Sequence, residues 1–513
     1  MRSFCLICVI KFVQVIYCNL PNLINVIYGF LVIIGILGAS NRLLGVFTNN
    51  LSSKGVLILD VVAVIGVLIF KFRKKIPMKR ISILLGILLV AWQMYIVKTC
   101  SGFSTWDPGI VMLTATEHFS KVWVNINQYF STNPNMIPLL LIEHGLWCLF
   151  NKPNLTVFTV ALGMLNILLI DISLVMISIS IKKMFESSMI SNTANLFGLI
   201  IMGITPWMCI IYSDNIAFFL AAVELLIISL WKEKSNKGKL LLSAILGVVF
   251  IVDLLIKPST IIFFIGIAVI AIFNFKKIKF TKKSLVYLIT FAIAFLAIGT
   301  GYKALQSNNS LVKINKSEAL PLSHFAAMGI QGNGGYSLKD VETDDAIKNP
   351  QQRNCAAQKR WRKRYNNMGG LGGYERFLVN KQSVNLAMGS MDWGCEGIFL
   401  TPFNQSKKAK ATLPRKLFTS NDGIAHIYTP SFFVFVQFFW CLGLILMLGA
   451  VLDKRVVSQL LKIIFIGFCA FLLLFESGRS RYLIQFLPFI FTLIGIGNAK
   501  IKMLYRKIKE ILN

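Results

Sequence analysis

Two aspartates lie where a strongly apolar chain turns back through polar sequence, and both are placed for chemistry. Asp107 stands in Thr105-Trp106-Asp107-Pro108-Gly109, just beyond an apolar run, where Pro108 and Gly109 favour a turn that fixes the carboxyl. Asp214 stands in Tyr212-Ser213-Asp214-Asn215, between two further apolar runs. A carboxylate in such a place can take a proton from an attacking hydroxyl. Cations able to neutralise a departing phosphate are also present. They are Lys257, before Pro258, and the arginines of Glu476-Ser477-Gly478-Arg479-Ser480-Arg481-Tyr482. Guanidinium is planar and always charged, which suits phosphate oxygens. Each residue also has a plain structural reading. Ser213, Asp214 and Asn215 are all N-cap types, and Arg479 beside Glu476 can be an interfacial anchor. Glu117-His118 follows Asp107 about three helical turns later.

The elements that must position these groups are membrane helices. The 513 residues are 56% hydrophobic and 15% charged, with a mean hydropathy of +0.68. A soluble domain has no use for so much apolar surface, so the bilayer is the solvent. Barrel strands of alternating polarity are absent, which leaves helices as the spanning structure. The formal charge of +31 does not signal nucleic-acid binding. Much of the Lys and Arg sits in short clusters between apolar runs, namely Lys71–Arg80, Lys182-Lys183, Trp231–Lys239, Lys276–Lys283, Lys454-Arg455 and Lys500–Lys509. The positive-inside rule assigns these clusters to the cytoplasm.

Apolar runs long enough to span fall at about 22–38, 55–71, 81–98, 155–181, 192–211, 215–231, 239–256, 259–275, 284–303, 431–451, 456–475 and 481–499. The expected fold is an all-α polytopic bundle of about 12–13 segments. It divides into anchor spans at 1–80, a core at 81–303, a loop region at 304–430 and C-terminal spans at 431–513. Counting from the basic clusters puts the first loop, 99–135, and the region 304–430 outside. Met136–Phe150, with Glu143-His144, breaks this parity and is expected to be short, tilted or re-entrant, packed on protein. Ile110–Tyr129 and Gln352–Asn367, the latter with Arg360, Arg362, Lys363 and Arg364 around Trp361, read as interfacial helices. Ser3–Cys18 lacks a convincing cleavage site and reads as a retained anchor or interfacial segment.

Ten cysteines carry no metal-ligand spacing. Cys355 and Cys395, deep in the loop region, leave a bridge open. No cofactor is signalled with certainty, and a divalent metal stays open.

Several short stretches carry a resemblance. They are Asp107-Pro108-Gly109 with Ala115, Tyr129-Phe130, Asn133-Pro134-Asn135 and Tyr212-Ser213-Asp214. Further along come Pro321-Leu322-Ser323-His324-Phe325 running to Met328-Gly329, Gly334-Gly335-Tyr336, Trp393 with Glu396-Gly397 and Phe399, and Glu476 with Arg479 and Arg481-Tyr482. In this order, over most of residues 80–500, they resemble the GT-C class of membrane glycosyltransferases. That class includes protein mannosyltransferases and aminoarabinose lipid A transferases. Within it, the nearest resemblance is to uncharacterised integral membrane proteins of low-GC Gram-positive bacteria.

The resemblance implies a polyprenyl-phosphate-sugar donor and a catalytic acid in the first outside loop. Asp107 matches that acid and Asp214 the second-loop acid. Lys257, His324, Glu396, Arg479, Arg481 and Tyr482 are the expected substrate-binding residues. Asp107 is not followed by the adjacent second acid of protein mannosyltransferases, which leaves the metal and the acceptor open. The expected partners are a polyprenyl-phosphate sugar, an extracytoplasmic glycan or lipid acceptor, and membrane lipids. Two rivals remain: a polymerase or ligase with a lipid-diphosphate donor, and a lipid or sugar transporter. A transporter would place acids mid-span facing a pore, which directs attention to Asp171, Glu224 and Asp253.

Overall fold

Backbone groups in lipid must be satisfied within their own segment, and the chain obeys this by forming helix almost throughout. The computed structural model describes residues 2–50, 78–273, 281–395, 398–420, 422–425 and 430–512. Among them, nine helices are long and apolar enough to cross a membrane: Leu20–Gly45, Ile83–Cys100, Leu155–Phe185, Ser213–Leu230, Asn236–Ile256, Lys282–Ser307, Phe432–Leu452, Val456–Leu474 and Ser480–Leu512. Two shorter apolar helices lie at Ser188–Gly203 and Pro258–Phe273. The span expected at about 55–71 lies outside the described residues.

Seven helices matter for the site: α1 (Arg2–Asn50), α2 (Asp107–Ala115), α3 (Ile137–Leu149), α4 (Ser213–Leu230), α5 (Asn236–Ile256), α6 (Pro350–Asn367) and α7 (Leu371–Asn385). α1, expected as an anchor, packs on α7 and on the helices at 430–448 and 456–474. Tyr28 of α1 donates its hydroxyl to the Met447 carbonyl at 2.8 Å. A Cβ at Gly38 would run into the Ser383 carbonyl, so glycine is what lets α1 approach α7 this closely.

The first loop departs from the expected single helix at 110–129. α2 stops at Ala115, Glu117 takes a left-handed φ of 58°, and a separate helix runs from Ile126 to Thr132. The apolar residues of α2 circle it instead of forming one stripe. Every residue from Pro108 to Ala115 is accordingly buried in protein. α3 has 13 residues, about 20 Å of helix and too short to span. It packs on α2, α5 and the helix at 282–307, as a short protein-packed segment should. The run expected as one span at 192–211 breaks into α-helix to Gly198, a π-turn at Leu199–Gly203 and a 3-10 turn from Pro206. Proline cannot donate to the preceding turn.

The loop region is a folded helical layer pinned to the first loop. A two-residue antiparallel pair joins β1 (Gly102–Phe103) to β2 (Thr401–Pro402). α6 forms where the basic helix is expected, but part of its charge turns inward. Arg353 is 1% exposed and donates to the carbonyls of Asp344, Ile347, Ser317 and Ala319. Arg360 pairs with Asp344, and Arg364 with Asp340 at 2.6 Å. Cys355 and Cys395 are both thiols, so no disulfide joins them.

Candidate functional site

Asp107 opens α2, its carboxyl half-buried and held at both oxygens. The Tyr129 hydroxyl donates to Oδ1 at 2.8 Å and the Tyr212 hydroxyl to Oδ2 at 3.0 Å. Burial, and then the Asp107 charge, pushes both phenols well above their usual range. They therefore remain protonated donors at any physiological pH. Trp106 braces the same corner. Its indole donates to the Phe399 carbonyl at 3.0 Å, and its ring stacks on Phe399 at 5.3 Å and meets Tyr212 edge-on at 5.3 Å.

Asp214 lies on the far side of Tyr212, in the first turn of α4, and is 1% exposed. Lys257, just past the end of α5, forms an ion pair with its Oδ1. Arg481 Nε lies 3.8 Å from its Oδ2. The Arg481 guanidinium sits 4.4 Å above the Trp106 ring, 5.6 Å from Tyr212 and 5.8 Å from Tyr482. Tyr212 thus touches both halves of one cluster. Asp107 is on one side, with Asp214, Lys257 and Arg481 on the other. The two acids are not equivalent: Asp107 is accessible, whereas Asp214 is sealed under its cations.

The arginine turn is held from outside. Asn385, at the end of α7, accepts from the Ser477 hydroxyl at 2.9 Å and the Gly478 N–H at 3.0 Å. Asp392 accepts the Ser480 N–H. Gly478 has a φ of 67°, which glycine adopts without strain. Tyr482 donates to Glu476 at 2.8 Å, and Arg479 lies 3.5 Å from the same carboxylate. Tyr336 faces this region too. Burial first, and then Asp107 among other acids, raises its phenol.

Four of the expected substrate-binding residues therefore gather with the two acids: Lys257, Arg479, Arg481 and Tyr482. His324 does not. It is fully buried in the loop layer, with Nδ1 2.6 Å from Asp344 Oδ2. Against the cost of burial, hydrogen bonds from His324 and Arg360 hold the Asp344 carboxyl below its ordinary range. His324, an expected substrate contact, thus stands apart from the cluster, its Nδ1 paired with a carboxylate that Arg360 shares. Glu396 lies outside the described residues. Glu117 pairs with Lys152 at 3.6 Å, and His118 meets the Thr116 hydroxyl at 3.0 Å, so neither extends the cluster.

Among the described residues no three His, Cys, Asp or Glu side chains gather as a metal-holding set. Of the mid-span acids, Asp171 accepts from Gln93 at 2.8 Å, while Glu224 and Asp253 are each 1% exposed.

The residues missed as site members are Trp106, Tyr129, Tyr212 and Tyr336. Trp106 and Tyr212 directly flank the conspicuous acids, a signal that was legible. Tyr129 is separated from Asp107 by the helix break at Glu117.

Helices of this number and hydropathy, closing over a buried charge cluster, define a multi-pass integral membrane protein in contact with lipid. Over residues 11–500 the chain matches the family described as "Conserved hypothetical integral membrane protein", and it belongs to that family. No curated protein and no solved structure matches it.

Proposed function

We propose that the protein is a membrane glycosyltransferase that moves a sugar from a polyprenyl-phosphate carrier to an extracytoplasmic acceptor. A cell-wall polymer, surface polysaccharide or glycolipid would be that acceptor. One observation carries the reading. An accessible carboxylate, fixed at both oxygens by buried phenols, stands one tyrosine away from two cations. That juxtaposition supplies what the reaction needs, a base for the acceptor and positive charge for the leaving phosphate.

In this reading Asp107 takes the proton of the acceptor hydroxyl. The acceptor oxygen forms its bond to the anomeric carbon as the bond from that carbon to the phosphate oxygen breaks. The electron pair stays on the phosphate, which Arg481 and Lys257 neutralise without a proton donor. Displacement is direct, so the configuration inverts. Asp214 acts as the fixed counter-ion that holds Lys257 and Arg481 in place. The phenols of Tyr129 and Tyr212 aim Asp107 and remain protonated while it works. In this reading the basic loops are cytoplasmic and the chemistry lies on the outer side.

Two rivals make different demands on the donor. A polymerase or ligase would use a lipid diphosphate. A transporter would use the buried Glu224 and Asp253 without cleaving anything. The test is purified protein in proteoliposomes supplied with polyprenyl-monophosphate sugar or polyprenyl-diphosphate sugar. The proposal expects acceptor-dependent release of polyprenyl monophosphate from the first donor. Release of diphosphate alone supports the polymerase, and movement of intact lipid or sugar with no cleavage supports the transporter.

A further inference from the structure

Against the arginine turn lies an open cavity of about 670 Å³, a size that suits a ligand rather than a stray water. Four parts of the chain wall it: Asn41 and Arg42 of α1, Asn333 and Tyr336 of the loop layer, the end of α7 and the residues after it from Ser383 to Met388, and Asp392 and Arg479 around the arginine turn. The Gly38–Ser383 approach of α1 to α7 is what brings Arg42 here. Arg42 also donates from Nε to the Met388 sulfur at 3.1 Å, which directs its side chain along this wall. The wall sets two carboxamides, a phenol, a carboxylate and two guanidinium groups beside the apolar Val384, Ala387 and Met388. A prenyl tail lying here would strand those groups without water. Sugar hydroxyls would satisfy them, and the guanidinium groups select an anion. Arg479 links the cavity to the cluster: it lies 3.5 Å from Glu476 and 5.8 Å from the Tyr482 ring, which Lys257 also faces at 5.8 Å.

We propose that this cavity is the acceptor subsite and seats a carbohydrate segment bearing an anionic group, phosphodiester or carboxylate, gripped by Arg42 and Arg479. The inference rests on the transfer reading above and extends it in two ways. The first membrane helix becomes part of the site, and the acceptor is an acidic glycan. Asp392 acts here as a positioning residue. It holds the Ser480 N–H and so fixes the turn that presents Arg479 to the cavity.

Binding can be read without any turnover. Full-length protein in detergent is titrated with a short poly(glycerol phosphate) oligomer, a neutral malto-oligosaccharide of similar length, and farnesyl phosphate, following the melting temperature. The expected result is saturable stabilisation by the anionic oligomer and little from the neutral one. Arg42→Gln should weaken the anionic oligomer roughly tenfold, the size of one charge-assisted contact, and Arg42→Lys should recover part of the loss. Each affinity is read from the shift relative to that variant's own unliganded melting temperature, so any change in basal stability does not enter it.

Equal stabilisation by the neutral oligomer, unchanged affinity in Arg42→Gln, or no binding of the anionic oligomer would each overturn the proposal. Farnesyl phosphate binding through Arg42 and displacing the oligomer would overturn it in favour of a lipid occupant. Transfer without Arg42-dependent binding removes the cavity assignment alone. Binding with no transfer from either donor removes the transfer reading, and the acceptor assignment with it.

Discussion

Asp107 is aimed by two phenols that burial keeps protonated, so its orientation should be worth measurable rate. A hydrogen bond to a charged group contributes about 1.5–3 kcal/mol. Tyr129→Phe and Tyr212→Phe should each lower kcat by roughly tenfold with little change in donor KM. Steady-state kinetics in vesicles check this, and a loss confined to KM would contradict it. Arg481 lies over the Trp106 ring while its Nε is 3.8 Å from Asp214. Arg481→Lys keeps the charge but loses the planar guanidinium, so it should weaken donor use more than acceptor use. Unchanged donor affinity in that variant would reduce Arg481 to an anchor. In an apolar chain every acid at the end of a span is conspicuous, which is why Asp107 and Asp214 could be picked out from residue types alone. Their different roles could not. Sealing Asp214 under Lys257 and Arg481 depends on how α4, α5 and the last outside turn pack, and no local pattern encodes that. His324 misleads for the same reason: its partner Asp344 lies twenty residues on and becomes a neighbour only when the loop layer folds.

At the scale of elements, the arginine turn depends on what grips the end of the preceding span. Lys381 of α7 is 1% exposed and donates to the carbonyls of Gly329, Leu473 and Phe475 at 2.7, 3.2 and 2.6 Å. It thus ties the loop layer to the residues just before Glu476. Burial pushes its ammonium down to about 7, with the Glu476 charge opposing. An unfolded lysine titrates near 10.4. Between these values the unfolded chain holds a proton that the folded chain has released, so stability should rise with pH across that window and be lowest below it. The melting temperature of the native protein should climb from about pH 7 to pH 10, and Lys381→Met should lose that climb. An equal climb in the variant would assign it to other groups. Sequence pattern located α6 because its basic, polar run is helical throughout. It could not show that Arg360 and Arg364 face Asp344 and Asp340. The break of the first loop at Glu117 also lies beyond periodicity, since the left-handed residue there is neither Gly nor Asn.

For the whole molecule, hydropathy and charge clusters gave most of the architecture, because length and apolarity suffice to mark a span. The break at 199–209, a π-turn at Leu199–Gly203 and then a 3-10 turn from Pro206, is what composition underweights, whereas the turn at Pro258–Ile261 falls at the junction expected between 239–256 and 259–275. Sidedness has a direct check in the exposed thiol of Cys355 on α6. If the loop layer faces out, a membrane-impermeant maleimide on intact cells should modify the Cys355 peptide, and Cys355→Ser should abolish that adduct. Modification only after lysis would invert the topology and remove an outside site. The central claim is that a single accessible carboxylate drives sugar transfer across this lipid-embedded fold. Asp107→Asn keeps the size of the side chain but cannot take a proton, and its amide accepts from only one of the two phenols. In proteoliposomes fed polyprenyl-monophosphate sugar, its turnover should fall roughly 10²-fold or more at unchanged protein level, well beyond the loss in Tyr129→Phe, which drops one phenol contact but keeps the carboxylate. Turnover equal to that of the native protein would contradict the account.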